Sequence, residues 1–440
     1  MRPGELSSLQ ASRIVEARLG REPQDMLEVA VALEAWAGVH AGEALERGRE
    51  LMATAPTVPR RSAGRLPGTA AQRGVAVEAL SFVIAVVAIA CWAAPLSDRL
   101  GPHAVEQALV LALPTTLTLQ WGLASRYLSR PEGLAHLGRR PLLLLLGAVA
   151  LVAVPAAALG RGGALAGLLT LTWTGGTIVI RRHWALAYAA MVLVASALMV
   201  AGLPATNVLS LTAALTTLGV AVALRARIAP TGQPPGRWGR AGVAAAIGAG
   251  VGVLLVIDRS VDWSLGSLPA IALLPSSVAS FWGGHHLWKF QEAIPQALSG
   301  VAVSDRSVRG LHRAPLRVLS GAVARVVGLT ASLSLLLMLG AAELGLHTTG
   351  RTVLVGFGLV ALATLFAGLL ESVGRGRWAI VSLVAGVAGE VLAQQSTPVS
   401  SVAGGGLIVG ASITVLLAMP VAIAMLCRPA ATLATALGIR

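Results

Sequence analysis

Lysine is nearly absent: of the 34 basic residues, only Lys289 is not an arginine. Charge of either sign is scarce, at 12% of 440 residues, where a soluble domain carries about a quarter. A soluble core needs a polar skin, so this composition excludes a soluble enzyme. The two cysteines, Cys91 and Cys427, both lie in apolar stretches. They offer neither a disulfide framework nor a metal-ligand cluster. No G-x-x-x-x-G-K-[ST] sequence occurs, which excludes ATP hydrolysis by that route. His285-His286 is not an H-E-x-x-H zinc site, and no Ser/His/Asp arrangement stands out. The chain is therefore read as a non-enzyme with no cofactor and no metal. The first 20 residues hold no apolar run, so no cleavable secretory signal is expected.

Hydrophobic residues, in contrast, make up 55% of the chain, and mean hydropathy is +0.76. From Gly74 onward twelve apolar runs recur, at about 75–97, 104–128, 141–160, 163–180, 184–203, 206–225, 240–257, 268–290, 316–341, 352–371, 377–395 and 403–427. Each is long enough to cross a bilayer. The net charge of +14 fits this reading better than a nucleic-acid partner, because arginine collects in cytoplasmic loops. With the N-terminus inside, the inner segments from residue 60 onward hold 23 basic residues and the outer ones four, Arg99, Arg161, Arg259 and Arg351. The expected location is the cytoplasmic (inner) membrane, multi-pass, with both termini cytoplasmic. Abundant alanine, glycine and arginine with one lysine suggest a GC-rich bacterial genome.

Residues 1–56 are different. Nine of the 20 acidic residues fall between Glu5 and Glu50. Two helices are expected, about Glu5–Leu19 and Pro23–Met52, the second opening with a proline and acidic residues suited to a first turn. They would form a cytoplasmic helical hairpin, a candidate docking surface for a protein partner. Residues 57–73, with Pro59, Pro67 and four arginines, read as a linker.

The spans repeat. Leu113-Pro-Thr-Thr-Leu-Thr-Leu-Gln-Trp-Gly122 in span two matches Leu274-Pro-Ser-Ser-Val-Ala-Ser-Phe-Trp-Gly283 in span eight, at an offset of 161. Gly147-Ala-Val-Ala150 recurs at Gly321 with offset 174, and Trp184-Ala185 and Pro204 recur at Trp378-Ala379 and Pro398 with offset 194. The expected fold is an all-α polytopic membrane protein of two six-helix repeats, 74–228 and 229–440. An even number of helices per unit gives both repeats one orientation, so the pseudo-twofold axis runs along the membrane normal. Pro114 and Pro275 each remove a backbone hydrogen bond from equivalent helices; they are candidate hinges or simple kinks.

The turn after span one, Asp98-Arg-Leu-Gly-Pro-His-Ala104, resembles the L-G-P-x-x turn of polysaccharide flippases in the multidrug/oligosaccharidyl-lipid/polysaccharide superfamily. The equivalent second-half loop, Ser260 to Pro269, departs from it, and the N-terminal hairpin is not part of that family's usual plan. A second, partial resemblance is to the major facilitators, whose G-x-x-x-D-R-x-G-R-R signature is matched only by Gly138-Arg139-Arg140. The first resemblance implies a transporter that moves a polysaccharide or lipid-linked oligosaccharide precursor by alternating access. Its contacts would be membrane lipids and an anionic lipid-linked saccharide. The alternatives are a major-facilitator-type ion-coupled exporter and a non-transporting membrane subunit of a polysaccharide-synthesis complex.

Ionisable groups within the bilayer are the first candidates for function. Arg325 lies about ten residues, or about 15 Å, into span nine. A guanidinium there suits a diphosphate head, or else pairs with a carboxylate or snorkels. Ser277, Ser280, His285 and Lys289 form a polar stripe along span eight, its lower part also readable as interfacial. Gln120 and Arg126 are the polar positions of span two, and Gln120 also suits an interhelical hydrogen bond. These seven residues are the candidate substrate-binding set. Glu390, beside Gln394 and Gln395 in the outer part of span eleven, is the candidate ion-coupling carboxylate. Its position near the outer interface favours the plainer reading of a solvated acid.

Overall fold

The computed structural model describes residues 8–19, 26–37, 39, 41–54, 84, 92–128, 160–180, 184–225, 238–261, 273–279, 282, 305–343 and 351–426. Among these residues there is no strand, and eight helices are long and apolar enough to cross a membrane. The chain is an all-α, multi-pass membrane protein.

Three helices open it: α1 (Ser8–Leu19), α2 (Met26–Ala32, widened into a π-helical turn over Leu33–Ala37) and α3 (Ala41–Thr54). The second expected helix, 23–52, is thus two pieces. The break follows Ala37, where the sequence reads Gly38, the poorest helix former after proline. There the Val39 N–H reaches back to the Leu33 carbonyl at 3.4 Å. Ala11, Val15, Val29, Leu33, Val39 and Ala44 form a small apolar core confined to these helices.

The first half comprises α4 (Ala93–Leu100), α5 (Pro102–Leu123, continued by a π-helical turn Ala124–Leu128), α6 (Arg161–Val179), α7 (Ala185–Val200) and α8 (Ala205–Arg225). The Leu100-Gly101-Pro102 turn divides α4 from α5. Gly101 has φ +88°, which residues with a Cβ rarely adopt, and Pro102 supplies the preset φ of a first helical position. The second half comprises α9 (Trp238–Val256), helical residues 273–279, α10 (Asp305–Glu343), α11 (Arg351–Ser372), α12 (Gly376–Gln394), a short α13 (Thr397–Ser400) and α14 (Gly405–Leu426). Helices α5 to α9, α11, α12 and α14 each lie within a few residues of an expected span. The helix that holds span nine starts at Asp305, before the expected 316, while its candidate membrane span is Leu319–Gly340. Spans one and three lie wholly or largely outside the described residues, and span eight lies partly outside.

Each half has its own core. One gathers residues from Trp92 to Val220, the other residues from Ile247 to Ala422. Helix α5 serves both: Leu109 packs against each core, and Leu113, Leu117 and Trp121 pack against the second. Neighbours recur between halves, with α8 on α6 and α7 as α14 is on α11 and α12. Trp184, Trp238 and Trp378, all exposed, stand at the starts of α7, α9 and α12. These starts share one end of the bundle, where an aromatic girdle fits a membrane–water interface.

Many described hydroxyls in the spans bond the carbonyl four residues back, among them Thr115, Thr118, Thr172, Thr212, Thr216, Ser382 and Thr414. This keeps polar atoms satisfied without tying one helix to another. The ties that do cross helices are few. In the first half Trp92 Nε1 donates to Ser196 Oγ at 2.7 Å, and Tyr188 Oη donates to the Thr172 carbonyl at 3.0 Å.

The halves meet where α9 crosses α5, through glycine. A Cβ on Gly248 would collide with the Leu117 carbonyl, and one on Gly252 with the backbone of Pro114. Small residues four apart let two membrane helices approach closely. Gly242, on the same helix, faces nothing within 4 Å. Gly252→Leu is therefore expected to destabilise the detergent-solubilised protein by about 1–3 kcal/mol, the usual cost of overpacking. Gly242→Leu should leave it unchanged, as read by thermal unfolding of the two variants side by side.

Candidate functional site

Helices α12 and α14 approach through glycines on both sides. Gly386 of α12 lies against Thr414 and the Gly410 carbonyl, and Gly389 against Ile413. On α14, a Cβ at Gly410 would be 3.0 Å from Glu390 Oε2, and one at Gly406 would be 3.1 Å from Asp258 Oδ2. The two carboxylates therefore line the same glycine face of α14, about one helical turn apart.

Their surroundings differ. Asp258, just past α9, is buried and fully used. Its Oδ1 accepts the Ser260 N–H at 2.9 Å and the Ser260 hydroxyl at 2.6 Å, and its Oδ2 accepts the Leu407 N–H at 2.8 Å. Ser260 Oγ in turn accepts the Gly404 N–H at 2.8 Å. Together they satisfy two of the N–H groups that the start of α14 leaves without intrahelical partners. Gln394 Nε2 donates to the Ile257 carbonyl at 3.2 Å, joining α12 to the same corner.

Glu390 has nothing comparable. Its relative exposure is 0%, and neither carboxyl oxygen has a hydrogen-bond partner among the described residues. The nearby charge acting on it is that of Asp258, of the same sign. The expectation of a solvated interfacial acid is corrected here: glycine packing between α12 and α14 draws the helices together over the side chain and excludes water. An isolated carboxylate in such a place is costly unless it is neutralised. The signal was available in the sequence as the pairs Gly386/Gly389 and Gly406/Gly410 flanking Glu390.

The other candidates are dispersed. Gln120 Nε2 donates to Thr177 Oγ1 at 2.8 Å and to the Trp173 carbonyl at 3.3 Å, so its amide joins α5 to α6. Arg126 lies in the widened turn after α5, at the junction of the halves. Arg325 is exposed on α10, on the flank of a stripe whose Ala322, Val326 and Thr330 are buried. Ser277 is half-buried in helical residues 273–279; Ser280, His285 and Lys289 lie outside the described residues. Pro114 sits inside an unbroken α5, with Gly252 of α9 pressed against it, and Pro275 is buried. Among the described residues no group of three or more His, Cys, Asp and Glu side chains is placed to hold a metal ion.

No protein-family model matches the chain, and no curated protein is similar to it. Two solved structures resemble it. One is the inward-facing conformation of a multidrug resistance MATE family transporter of the MOP superfamily, 14% identical, with a TM-score of 0.45 over 80% of this chain and 96% of that one. The other is a MOP superfamily transporter from Pyrococcus furiosus Vc1 (DSM3638), 14% identical, with a TM-score of 0.42 over 81% of this chain and 96% of that one.

Asp258→Ala removes the acceptor for three donors and leaves the start of α14 uncapped. It is expected to lower stability by at least about 1–2 kcal/mol. Glu390→Gln, which breaks no described hydrogen bond, should unfold at or above the wild-type temperature in the same detergent melt.

Proposed function

We propose that this chain is a membrane transporter whose two halves alternate between inward- and outward-open states, and that Glu390 couples the cycle to an ion. The observation that carries the reading is the fully buried Glu390 carboxylate between α12 and α14, which has no hydrogen-bond partner among the described residues. A proton or a sodium ion neutralises it in place, while its release restores a charge that the packed state disfavours. Occupancy thus biases the packing of α12 on α14, which is the differential interaction a coupled conformational change requires. The internal repeat and the two separate cores supply the units that move.

The proposed cargo is a polysaccharide or lipid-linked oligosaccharide precursor, its anionic head held by Arg325 with polar groups from spans two and eight, Ser277 among them. The exposure of Arg325 on α10 supports this, since guanidinium groups bind phosphate oxygens in a bidentate geometry. Gln120 and Arg126 already make contacts within the protein and contribute less to cargo. The proposed location is the inner membrane, with both termini in the cytoplasm.

One observation favours a second reading. Helices α1–α3 have an apolar core of their own, which suits a docking module of a polysaccharide-synthesis complex. Removing residues 1–56 should abolish capture of a protein partner from that complex and leave transport in vesicles intact. Loss of transport with no partner captured from wild type would sink the docking role.

In cells lacking the protein, one isoprenoid-linked saccharide should accumulate, as read by lipid mass spectrometry. In proteoliposomes, Glu390→Gln should lower the gradient-driven initial rate at least about tenfold without unfolding, and proton and sodium gradients applied separately identify the ion. Arg325→Ala should lower the rate comparably. An unchanged lipid pool together with unchanged rates in both variants would overturn the proposal.

A further inference from the structure

The junction between the halves is apolar along most of its length and charged at one end. Ser125 and Arg126, in the π-helical turn that ends α5, belong to the first half. The Arg126 guanidinium lies over the Trp238 ring, 3.5 Å from its centroid, and 5.0 Å from the Tyr127 centroid. Tyr127 meets Trp238 edge-on at 6.5 Å. Beside them Glu371, at the end of α11, accepts the Ser125 hydroxyl at 3.2 Å and Arg240 Nε at 2.9 Å. The first-half turn is thus held by Trp238 at the start of α9 and by a carboxylate that α9 also holds through Arg240.

We infer that this cluster is a latch that closes the two halves against each other at the Trp184–Trp238–Trp378 end of the bundle and opens when they part there. The inference rests on the reading of the halves as moving units. Three features carry it. The contacts of Arg126 and Tyr127 with Trp238 and of Ser125 with Glu371 cross between the halves, while Arg240 holds Glu371 in place within the second half. A guanidinium on an aromatic face and a hydroxyl–carboxylate hydrogen bond are each individually modest, so the cluster can be made and broken in a working cycle. The latch also lies at one end of a seam that runs through Gly248 to Gly252 against Pro114. Pro114 lacks an N–H and so cannot complete its helical hydrogen bond, which makes that part of α5 the natural point to bend when the latch lets go.

The test is a distance measurement between two spin labels by pulsed electron spin resonance. The background is the full chain with Cys91→Ser and Cys427→Ser. Labels go on Leu186→Cys at the start of α7 and Arg377→Cys at the start of α12. Both sites are exposed, one in each half, at the latch end. The unlatched population should rise about threefold with Arg126→Ala, about threefold with Glu371→Gln, and about tenfold with both. Arg126→Lys keeps the charge but loses the planar stack, so it should fall between wild type and Arg126→Ala. It also guards against a variant that merely fails to fold, which size-exclusion chromatography detects. Identical distance distributions in wild type, Arg126→Lys and Glu371→Gln would overturn the latch. The measurement needs no cargo. A shift in distance without any transport activity would leave the latch standing and sink the transport reading; no shift with intact transport would do the reverse.

Discussion

Among the described residues, two apolar cores are joined where α9 crosses α5, and the rest of the described architecture depends on that crossing. Lipid provides no hydrophobic drive to bring the halves together, so close van der Waals contact must hold them. Gly248 and Gly252 supply it by letting α9 press against the α5 backbone at Leu117 and Pro114. Helix α5 then contributes side chains to both cores. A joint built from one close crossing permits rotation about it more readily than a broad interlocked interface would. The polar cluster of Arg126, Trp238 and Glu371 acts at the end of the same crossing, where leverage on the halves is greatest.

The second half uses the same glycine device for a different purpose. Gly386, Gly406 and Gly410 bring α12 and α14 so close that an acid between them is sealed from solvent. Asp258, one turn away, shows what the chain does with an acid that serves structure: every oxygen is hydrogen-bonded, and the start of α14 is capped. Placing the two carboxylates side by side separates their roles. One fixes a corner; the other has no hydrogen-bond partner among the described residues.

Much of this was legible in the sequence. Long apolar runs located the spans that fall within the described residues, because helix length is set by the bilayer itself. The L-G-P turn translated directly into a glycine at positive φ followed by a helix starting on proline. Hydropathy does not report which residues face one another, and there the reading was weaker. It placed Glu390 by depth, near the interface, and missed that glycines on two helices would bury it. Gln120 and Arg126 were singled out as polar side chains in span two, but their partners, Thr177 and Trp238, lie 57 and 112 residues away. The helix expected over 23–52 is divided after Ala37, because the acidic first turn and helical spacing that point to it do not register the glycine at 38 as a break.

The distribution of interhelical hydrogen bonds makes the two halves mechanically unequal. In the first half, Tyr188 ties α7 to the middle of α6, Gln120–Thr177 ties α5 to α6 near their ends, and Trp92, just before α4, bonds Ser196 of α7. Among the described residues of the second half, such ties lie at the ends: Asp258, Ser260, Gln394 and Thr352 at one, Arg240 with Glu371 at the other. Between them α9, α11, α12 and α14 touch through glycine and aliphatic carbon. The first half is a laminate, glued between its layers. The second is a set of rods clamped at both tips, and Glu390 sits about one helical turn inside the clamp that Asp258 and Gln394 make.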